Sequence, residues 1–259
     1  MRPKKSLGQN FLMHPQTADR IAFVAPLEPL ETVLEIGPGT GMLTRTLLAS
    51  GRTVYAVEAD HELMPELEER FSQEIEEGRL ILRQEDIRAF SPESIPTPYA
   101  LVANIPYYIT GEIIRQFLTA AHKPRSMTLL VQKEVAERIA RTKKESLLSL
   151  SVKVFGTPKY CFTVPRGAFR PAPNVDSAVL SIADIRPDAF QSPEEEHLFF
   201  SILRAGFSQK RKRLAKNLEQ LYPAGHISLA FEELGLSTGI RAEDLHEEGW
   251  RTLVHMLAS

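Results

Sequence analysis

The feature that most constrains the fold is an alternation of short β-branched runs with helix-length stretches between Glu31 and about Asp184. This alternation is typical of a doubly wound α/β sheet. The last two predicted strands are separated by turn residues rather than by a long helix, which indicates an antiparallel hairpin added to the sheet edge. Strands are predicted at residues 32–36, 53–57, 80–83, 101–103, 127–131, 152–155 and 178–182.

Strand signals disappear after Asp188. Ser192 and Pro193, followed by two glutamates, form a good helix start, with a capping hydroxyl, a first-turn proline and carboxylates near the positive end of the helix dipole. Periodic apolar residues then continue to Leu257, which indicates a small all-helical domain. The predicted organisation is a catalytic domain over residues 1–186, a class I (Rossmann-like) α/β sheet, and a helical RNA-binding domain over 187–259.

Composition excludes several classes of protein. The chain has 259 residues, a net charge of −2 and one cysteine, Cys161, so it has no internal disulfide. Its seven histidines show no metal-ligand spacing, and we predict no metal site. No apolar run approaches the length of a membrane span. We therefore expect a cytoplasmic, monomeric protein without a membrane partner, in which Cys161 is a small buried apolar residue.

A glycine-rich loop follows the first predicted strand. The segment Glu35-Ile36-Gly37-Pro38-Gly39-Thr40-Gly41 ends that strand and opens a helix. Glycines there allow a tight turn and close approach of the backbone to a ligand. The dinucleotide fingerprint needs a sixth-position glycine, but that position is Met42. The loop instead resembles motif I of the class I S-adenosylmethionine-dependent methyltransferases, whose cofactor has no pyrophosphate.

The next two predicted strands end in acidic residues. Glu58 lies about twenty residues after the loop, where an acid can bind both ribose hydroxyls. Asp86 could accept a hydrogen bond from the cofactor's adenine amine, and Ile87 could pack against its ring. Acids at strand ends often merely cap helices. Their order at successive strand ends nevertheless favours a nucleoside cofactor.

The fourth strand leads into Asn104-Ile105-Pro106-Tyr107. The amine of adenine is a poor nucleophile because its lone pair is delocalised into the ring. The side-chain oxygen of Asn104 and the carbonyl of Ile105 could each accept one amine hydrogen, while Tyr107 stacks on the base. Pro106 would fix the turn. The alternative is an ordinary Asn-x-Pro turn at the end of a strand.

Taken together, these motifs resemble an N6-adenine methyltransferase, and further segments narrow the resemblance to the KsgA/RsmA family of ribosomal RNA adenine dimethyltransferases. The resemblance spans nearly the whole chain. It is carried by Ser6-Leu7-Gly8-Gln9-Asn10-Phe11-Leu12, Asn104-Ile105-Pro106-Tyr107-Tyr108-Ile109, Gln132-Lys133-Glu134-Val135-Ala136-Glu137-Arg138, Val164-Pro165-Arg166-Gly167-Ala168-Phe169-Arg170-Pro171, Asn174-Val175-Asp176-Ser177-Ala178 and Phe207-Ser208-Gln209-Lys210-Arg211-Lys212.

The resemblance implies S-adenosylmethionine as the cofactor. Asn10 and Leu12, in an N-terminal segment that folds over the cofactor, would contact its methionine part. The alternative for these two residues is a polar turn before a helix at residues 14–24. The remaining cofactor-contacting positions implied by the resemblance are Gly37, Glu58, Asp86 and Asn104.

The resemblance also implies how the target base is held. Tyr107 matches the aromatic residue that stacks on the base, and Phe169 matches the ring proposed to close on its other face. A core aromatic beside a proline turn is an equally good interpretation of Phe169. The chain departs from the family at Tyr108, where many members carry a small polar residue, and this could alter packing near the pocket.

A basic segment is the candidate RNA-binding surface. It comprises Lys210, Arg211, Lys212, Arg213 and Lys216. If Leu214, Leu218 and Leu221 form the buried stripe of a helix, Lys212 and Lys216 project almost opposite to it. Such a charge run is often only a solvated face. The resemblance implies the small ribosomal subunit as partner, with paired adenines near the 3′ end of its 16S RNA as target and a role in subunit biogenesis.

Three rival functions remain at this point. Erm-type enzymes share the chemistry but methylate large-subunit RNA. A non-catalytic ribosome assembly or transcription factor could retain the fold, although decay of the glycine loop or of Asn-x-Pro-Tyr would then be expected and neither has decayed. A DNA or small-molecule methyltransferase is disfavoured by the C-terminal match.

Overall fold

The computed structural model describes residues 4, 7–29 and 31–258, which form two compact units. The first unit comprises residues 1–140 and 155–187, and the second comprises 141–154 and 188–259. The division after Pro187 lies one residue beyond the predicted domain boundary. Residues 141–154 differ from the prediction, because they cluster with the second unit rather than with the sheet.

The first unit contains nine strands and six helices among its described residues. In chain order they are β1 (Phe11–Leu12), α1 (Pro15–Val24), β2 (Thr32–Ile36), α2 (Met42–Ala49), β3 (Val54–Glu58), α3 (Met64–Arg70), α4 (Ser72–Glu76), β4 (Leu80–Gln84), β5 (Tyr99–Asn104), α5 (Thr110–Leu118), β6 (Ser126–Gln132), α6 (Lys133–Ala140), β7 (Thr157–Val164), β8 (Phe169–Arg170) and β9 (Ser177–Ala183).

Seven strands form one sheet in the order β4-β3-β2-β5-β6-β9-β7. The first five run parallel, and β9 pairs antiparallel with both β6 and β7. Residues 99–103 of the central strand β5 are fully buried, as expected for a parallel strand covered on both faces. The predicted α/β class and the antiparallel pair at the sheet edge are confirmed.

The predicted strand at residues 152–155 is wrong. Its first two residues lie in helix α7 (Leu147–Lys153), and the edge strand is β7 instead. Ser146 begins the helix through a capping box with Ser149, because each side chain accepts from the other residue's backbone N–H. Val152 and Val154 are buried, and valines in a short apolar run resemble a strand when only the sequence is considered.

Strand order creates a switch point at the carboxyl edge of the sheet. Strand β2 lies between β3 and β5, so the chain winds outward in both directions from this pair. Open α/β sheets bind ligands in the crevice outside the carboxyl ends at such a point. The glycine loop after β2 and the Asn104 motif after β5 therefore lie at the same crevice.

The second unit is helical throughout its described residues. Besides α7, it contains α8 (Pro193–Gly206), α9 (Leu214–Leu218), α10 (Ala224–Glu233) and α11 (Glu247–Ala258). Helix α8 begins as predicted, since Ser192 Oγ accepts from the Glu195 N–H at 3.2 Å and Pro193 is the first residue. Trp250 is fully buried at the centre of this unit.

Two sequence expectations about individual apolar residues are wrong. Leu221 is 48% exposed and lies beyond the end of α9, so the predicted stripe contains only Leu214 and Leu218. Cys161 is half-buried in the edge strand rather than in the core. Within the described residues, no helix is long and apolar enough to cross a membrane. That part of the chain also has no cluster of metal-ligating side chains.

Candidate active site

A pocket of about 830 Å³, open to solvent, lies at the carboxyl ends of strands β2 to β5. Each strand end contributes to it, as does the segment before β1. The lining segments are residues 7–11, 36, 37 and 39, 57–59, 85–88 and 104–109. The crevice is therefore built from the motifs that sequence reasoning selected.

The glycine loop has the backbone that its composition predicts. Gly37, Gly39 and Gly41 have φ values of 67°, 58° and 75°, in the left-handed region that favours glycine. A Cβ on Gly37 would project into open space, with only the carbonyl of Asn104 near it, at 3.7 Å. The loop thus presents bare backbone to the pocket, as close approach to a ligand requires.

Glu58 is held from both sides by backbone groups. Its Oε2 accepts from the Gly39 N–H at 3.1 Å, and its Oε1 accepts from the Asp60 N–H at 2.8 Å. Burial raises the pKa of Glu58, and these two hydrogen bonds oppose the rise. Each carboxylate oxygen keeps acceptor capacity toward the pocket, which suits a pair of ribose hydroxyls.

Asp86 and Ile87 line the adjacent part of the pocket. Arg88, which sequence reasoning missed, forms a two-pronged contact with Asp86, with its Nη2 2.6 Å from Oδ2. These hydrogen bonds lower the pKa of Asp86. The Asp86 side chain is therefore an ionised acceptor of fixed orientation, as binding of an amine requires.

The side-chain amide of Asn104 is oriented by the N-terminal segment. Its Nδ2 donates to the main-chain carbonyl of Asn10 at 3.0 Å, which leaves Oδ1 as the acceptor. Ile105 and Pro106 follow at the pocket wall. This arrangement meets the predicted requirement for an acceptor beside the target amine.

Tyr107 is fixed through its hydroxyl group. The hydroxyl shares a 2.6 Å hydrogen bond with Ser177 Oγ at the start of β9. Burial raises the pKa of Tyr107, against that hydrogen bond. The ring lines the pocket in one orientation, so a base could stack on it without further ordering. Ser177 belongs to the motif Asn174-Val175-Asp176-Ser177-Ala178, but the sequence predicts no role for its side chain.

The neighbouring Tyr108 also lines the pocket, and most of its ring is exposed. A Cβ on Gly8 would approach this ring at 3.0 Å, so the ring lies against the backbone of the N-terminal segment. The departure from the family pattern therefore places an additional aromatic surface at the rim of the pocket.

Two predicted site residues do not line this pocket. Leu12 and Phe169 are register partners in the small antiparallel β1–β8 sheet, and they are 4% and 5% exposed. Both belong to the apolar core. Leu12 does line a smaller neighbouring cavity with Gly37 and Gly39. In this conformation Phe169 is a core aromatic residue, as in the alternative interpretation, and not a ring that faces the pocket.

Glu35 is a buried carboxyl group beside the site. It begins the glycine-rich segment, but the sequence predicts no role for it. It is 1% exposed and lines the same smaller cavity as Leu12. Burial raises the pKa of Glu35 to about 8. Thr44 lies beside this carboxyl group, and polar contacts from its side chain and backbone oppose the rise without cancelling it. A neutral carboxyl group is the stable form here.

The predicted RNA-binding cations belong to the second unit. All five are exposed, and Lys216 forms an ion pair with Glu219. No ion pair within the described residues involves Lys210, Arg211, Lys212 or Arg213. The loop that carries them is braced by Asn217, whose Nδ2 donates to the carbonyls of Gly206 and Gln209 at 2.5 and 3.1 Å. It therefore presents four unneutralised cations on an ordered loop.

The fold and the pocket define a class I S-adenosylmethionine-dependent methyltransferase. One crevice contains the bare backbone of Gly37, the strand-end carboxylate of Glu58 and the amine acceptor Asp86, as a nucleoside cofactor requires. A family model described as "Ribosomal RNA adenine dimethylase" matches residues 1–259, and the chain belongs to that family. This match confirms the predicted family, enzyme class and cofactor.

Individual relatives agree with this result. The chain is 42% identical over 259 residues to "Ribosomal RNA small subunit methyltransferase A" of a Dehalococcoides mccartyi strain, covering 98% of this chain and 88% of the relative. The structure is similar to the 23S rRNA methyltransferase ErmE, with a TM-score of 0.78 and 28% identity over 96% of this chain and all of that one. A Plasmodium falciparum dimethyladenosine transferase has a TM-score of 0.79, 26% identity and coverage of 94% and 95%.

Proposed function

We propose that this protein transfers two methyl groups to the exocyclic amine of each of two adjacent adenines near the 3′ end of small-subunit ribosomal RNA. The observation that carries the proposal is the orientation of Asn104, whose Nδ2 is bonded to Asn10 and whose Oδ1 is left to accept from an amine. The name of the 42% identical relative supports the small subunit as the substrate.

Residues in all parts of the crevice suit the proposed cofactor. Glu58 would hold the ribose, Asp86 and Ile87 the adenine, and the bare backbone of Gly37 and Gly39 would approach the amino-acid part. Asn10 and Asn104 are the further proposed cofactor contacts. Leu12 is buried and lines only the smaller neighbouring cavity, so its proposed cofactor contact would lie on that side.

The chain's own groups favour methyl transfer by positioning the amine. S-adenosylmethionine, when bound, supplies a methyl group on a positively charged sulfur. Asn104 Oδ1 and the Ile105 carbonyl accept the two amine hydrogens, which localises the nitrogen lone pair toward that methyl group. Tyr107 holds the base, and its hydroxyl is anchored on Ser177. Because the leaving group is already activated, no strong general base is required.

The basic loop of the second unit supports an RNA partner. Four cations without ion pairs within the described residues can each neutralise a backbone phosphate, and the bracing by Asn217 limits the ordering that binding costs. We propose Lys210, Arg211, Lys212 and Arg213 as the main phosphate contacts, with Lys216 weaker because Glu219 already pairs with it. The proposal includes a monomeric, cytoplasmic protein that acts during subunit biogenesis.

Incubation with labelled cofactor and undermethylated ribosomal subunits tests this function. We expect label in the small subunit only, at two adjacent adenines that carry two methyl groups each. The structural similarity to ErmE makes large-subunit RNA the second candidate. Label confined to the large subunit would support that candidate, and binding without any label would support an assembly factor.

A further inference from the structure

Residues 7–11, which include the first residue of β1, form one wall of the pocket and are here called the strap. One end of it continues into β1, which pairs with β8. Its centre contacts Asn104 through the Asn10 carbonyl. Gln9 of the strap donates to the carboxyl group of Asp60, which follows β3, and Lys4, which precedes the strap, binds the same carboxyl group. None of these strap contacts to Asp60 belongs to the predicted site.

Asp60 is 3% exposed, and its carboxyl group is bound by Lys4 and Gln9 as well as by the N–H of Glu62. Its Oδ1 lies 2.7 Å from Lys4 Nζ, and its Oδ2 accepts from Gln9 Nε2 at 2.8 Å. The Lys4 N–H also donates to Gln9 Oε1 at 2.7 Å, which closes the group. These three residues are here called the latch.

Lys4 faces two carboxylates, because its Nζ also lies 3.0 Å from Glu62 Oε1. Burial alone would raise the pKa of Asp60, but the hydrogen bonds from Lys4 and Gln9 hold it below its ordinary value. Removing one partner from a buried, hydrogen-bonded charge leaves the other uncompensated. The latch is therefore a strong attachment for a segment that has no helix of its own.

The strap determines which atom of Asn104 faces the target amine. An amide side chain presents either a donor or an acceptor, and only the acceptor can bind an amine hydrogen. Because the Asn10 carbonyl accepts from Nδ2, the amide is set with Oδ1 free. If the strap moved away, no other side-chain hydrogen bond among the described residues would fix this orientation.

From this arrangement we propose that Lys4, Gln9 and Asp60 are positioning residues for methyl transfer, because the latch holds the strap and the strap orients the Asn104 amide. The inference rests on the proposed function for its catalytic consequence. The Asp60 N–H that supports Glu58 is a main-chain group and survives side-chain substitution. Loss of the latch should therefore lower turnover while the Glu58 side of the cofactor site stays intact.

The test compares Asp60→Asn and Lys4→Met with wild-type protein. We expect kcat at saturating cofactor to fall about tenfold, because small misplacements of reacting groups are costly. Cofactor affinity, measured by calorimetry, should also fall, because Asn10 of the strap is a proposed cofactor contact, but binding should persist through Glu58 and Asp86. Hydrogen exchange over residues 7–12 should accelerate, and the Asn104 side-chain amide resonances should shift.

Matched variants separate the latch from general effects of charge. Lys4→Arg keeps a cation beside Asp60 and should retain most of the turnover. Glu77→Gln breaks an exposed contact to Arg79 of similar length, 2.6 Å, away from the pocket, and should change none of the four measurements. The Lys4 side chain is partly exposed, at 28%, whereas Asp60 is buried, so Lys4→Met tests the proposal even if Asp60→Asn does not fold.

Two results would overturn the proposal. Faster exchange with unchanged kcat and unchanged Asn104 resonances would show that the strap does not orient the amide. Unchanged exchange in both variants would show that the latch does not hold the strap. Failure of the proposed function is seen separately, as wild-type protein that leaves small subunits unlabelled; exchange and the Asn104 resonances then still decide whether the latch orients the amide.

Discussion

At the scale of single residues, the site depends on hydrogen bonds that leave one atom of a side chain free. The bond between Asn104 Nδ2 and the Asn10 carbonyl leaves an acceptor, and the bond between the Tyr107 hydroxyl and Ser177 leaves a ring face. In each case a second residue engages the part of the side chain that the substrate does not use. Substitutions can therefore separate binding from chemistry.

Asn104→Ala removes the proposed amine acceptor. We expect kcat to fall by roughly 10²–10³, the range seen when one positioned catalytic hydrogen-bonding group is removed. Cofactor binding should persist because Glu58 and Asp86 are unchanged, and RNA binding should be largely kept. Single-turnover kinetics with undermethylated small subunits measure the first effect. Unchanged turnover would refute the assignment of Asn104.

Glu35 predicts an unusual pH dependence of stability. Its pKa in the folded protein is about 8, above the ordinary value of 4.5, so the folded state holds the proton more tightly. The contribution of Glu35 to the free energy of unfolding should be largest below about pH 4.5 and should fall as pH rises toward 8. Glu35→Gln should flatten this fall, as measured by urea unfolding of cofactor-free protein between pH 5 and 8.5. Parallel profiles for the two proteins would show that Glu35 ionises normally.

At the scale of elements, the junction of the glycine loop with α2 combines an unusual backbone with close packing. Gly41 precedes α2 with φ of 75°, and a Cβ there would overlap the ring of Phe71. Phe71 in turn lies between α3 and α4. This single position therefore joins the cofactor loop to the helical layer beside β3.

Gly41→Ala should destabilise the protein through both effects. The left-handed backbone costs about 1–2 kcal/mol for a residue with a Cβ, and repacking against Phe71 adds about 1–3 kcal/mol. Gly51→Ala is the matched control, because φ there is 78° but nothing lies within 4 Å of the added Cβ. Denaturant unfolding should show a clearly larger destabilisation for Gly41→Ala. Equal effects of the two substitutions would mean that Phe71 moves without cost.

Elements also differ in how well the sequence predicts them. The sequence predicts strands β2, β3, β4, β5 and β6 within a few residues of their bounds, because each contains a short apolar run. Residues 152–155 were mistaken for a strand, because valines are also buried in the last turn of α7 and the Ser146 cap lies before the apolar run. The positions of the glycine loop and the Asn104 motif followed directly from the strand ends.

The remaining parts of the site could not be predicted, because they depend on contacts between distant segments. Asp60 meets Lys4 and Gln9 across more than fifty residues, and Tyr107 meets Ser177 across seventy. No local pattern encodes such pairs. Phe169 illustrates the same point, since its motif matched a base-closing ring while the β1–β8 pairing buries it.

At the scale of the whole molecule, charge is clustered locally in a way that the net value of −2 conceals. Acidic groups line the pocket of the first unit, whereas the second unit displays an unpaired cationic loop. Substrate capture and chemistry are therefore assigned to different units in our proposal. Substitutions in the cationic loop should therefore change RNA binding and leave cofactor binding unchanged.

Replacing Lys210, Arg211, Lys212 and Arg213 together with glutamine should weaken RNA binding but leave the cofactor dissociation constant unchanged. The slope of log affinity against log salt should decrease by about 0.7–0.9 for each phosphate that the variant no longer neutralises. Lys216→Gln alone should have a smaller effect than Lys212→Gln, because Glu219 already neutralises Lys216. Filter binding at several salt concentrations measures both slopes. A salt slope identical to wild type would place the RNA surface elsewhere.

The contact between Asn10 and Asn104 has a consequence for genetics. The accepting atom is a main-chain carbonyl, so no codon change at position 10 deletes it, and an alanine scan would leave this hydrogen bond in place. Selection can act only on the path that the main chain takes before β1. Short insertions or deletions between Gln9 and Phe11 should therefore be more damaging than any conservative replacement there, and backbone amide-to-ester exchange is the chemical means of weakening that one acceptor.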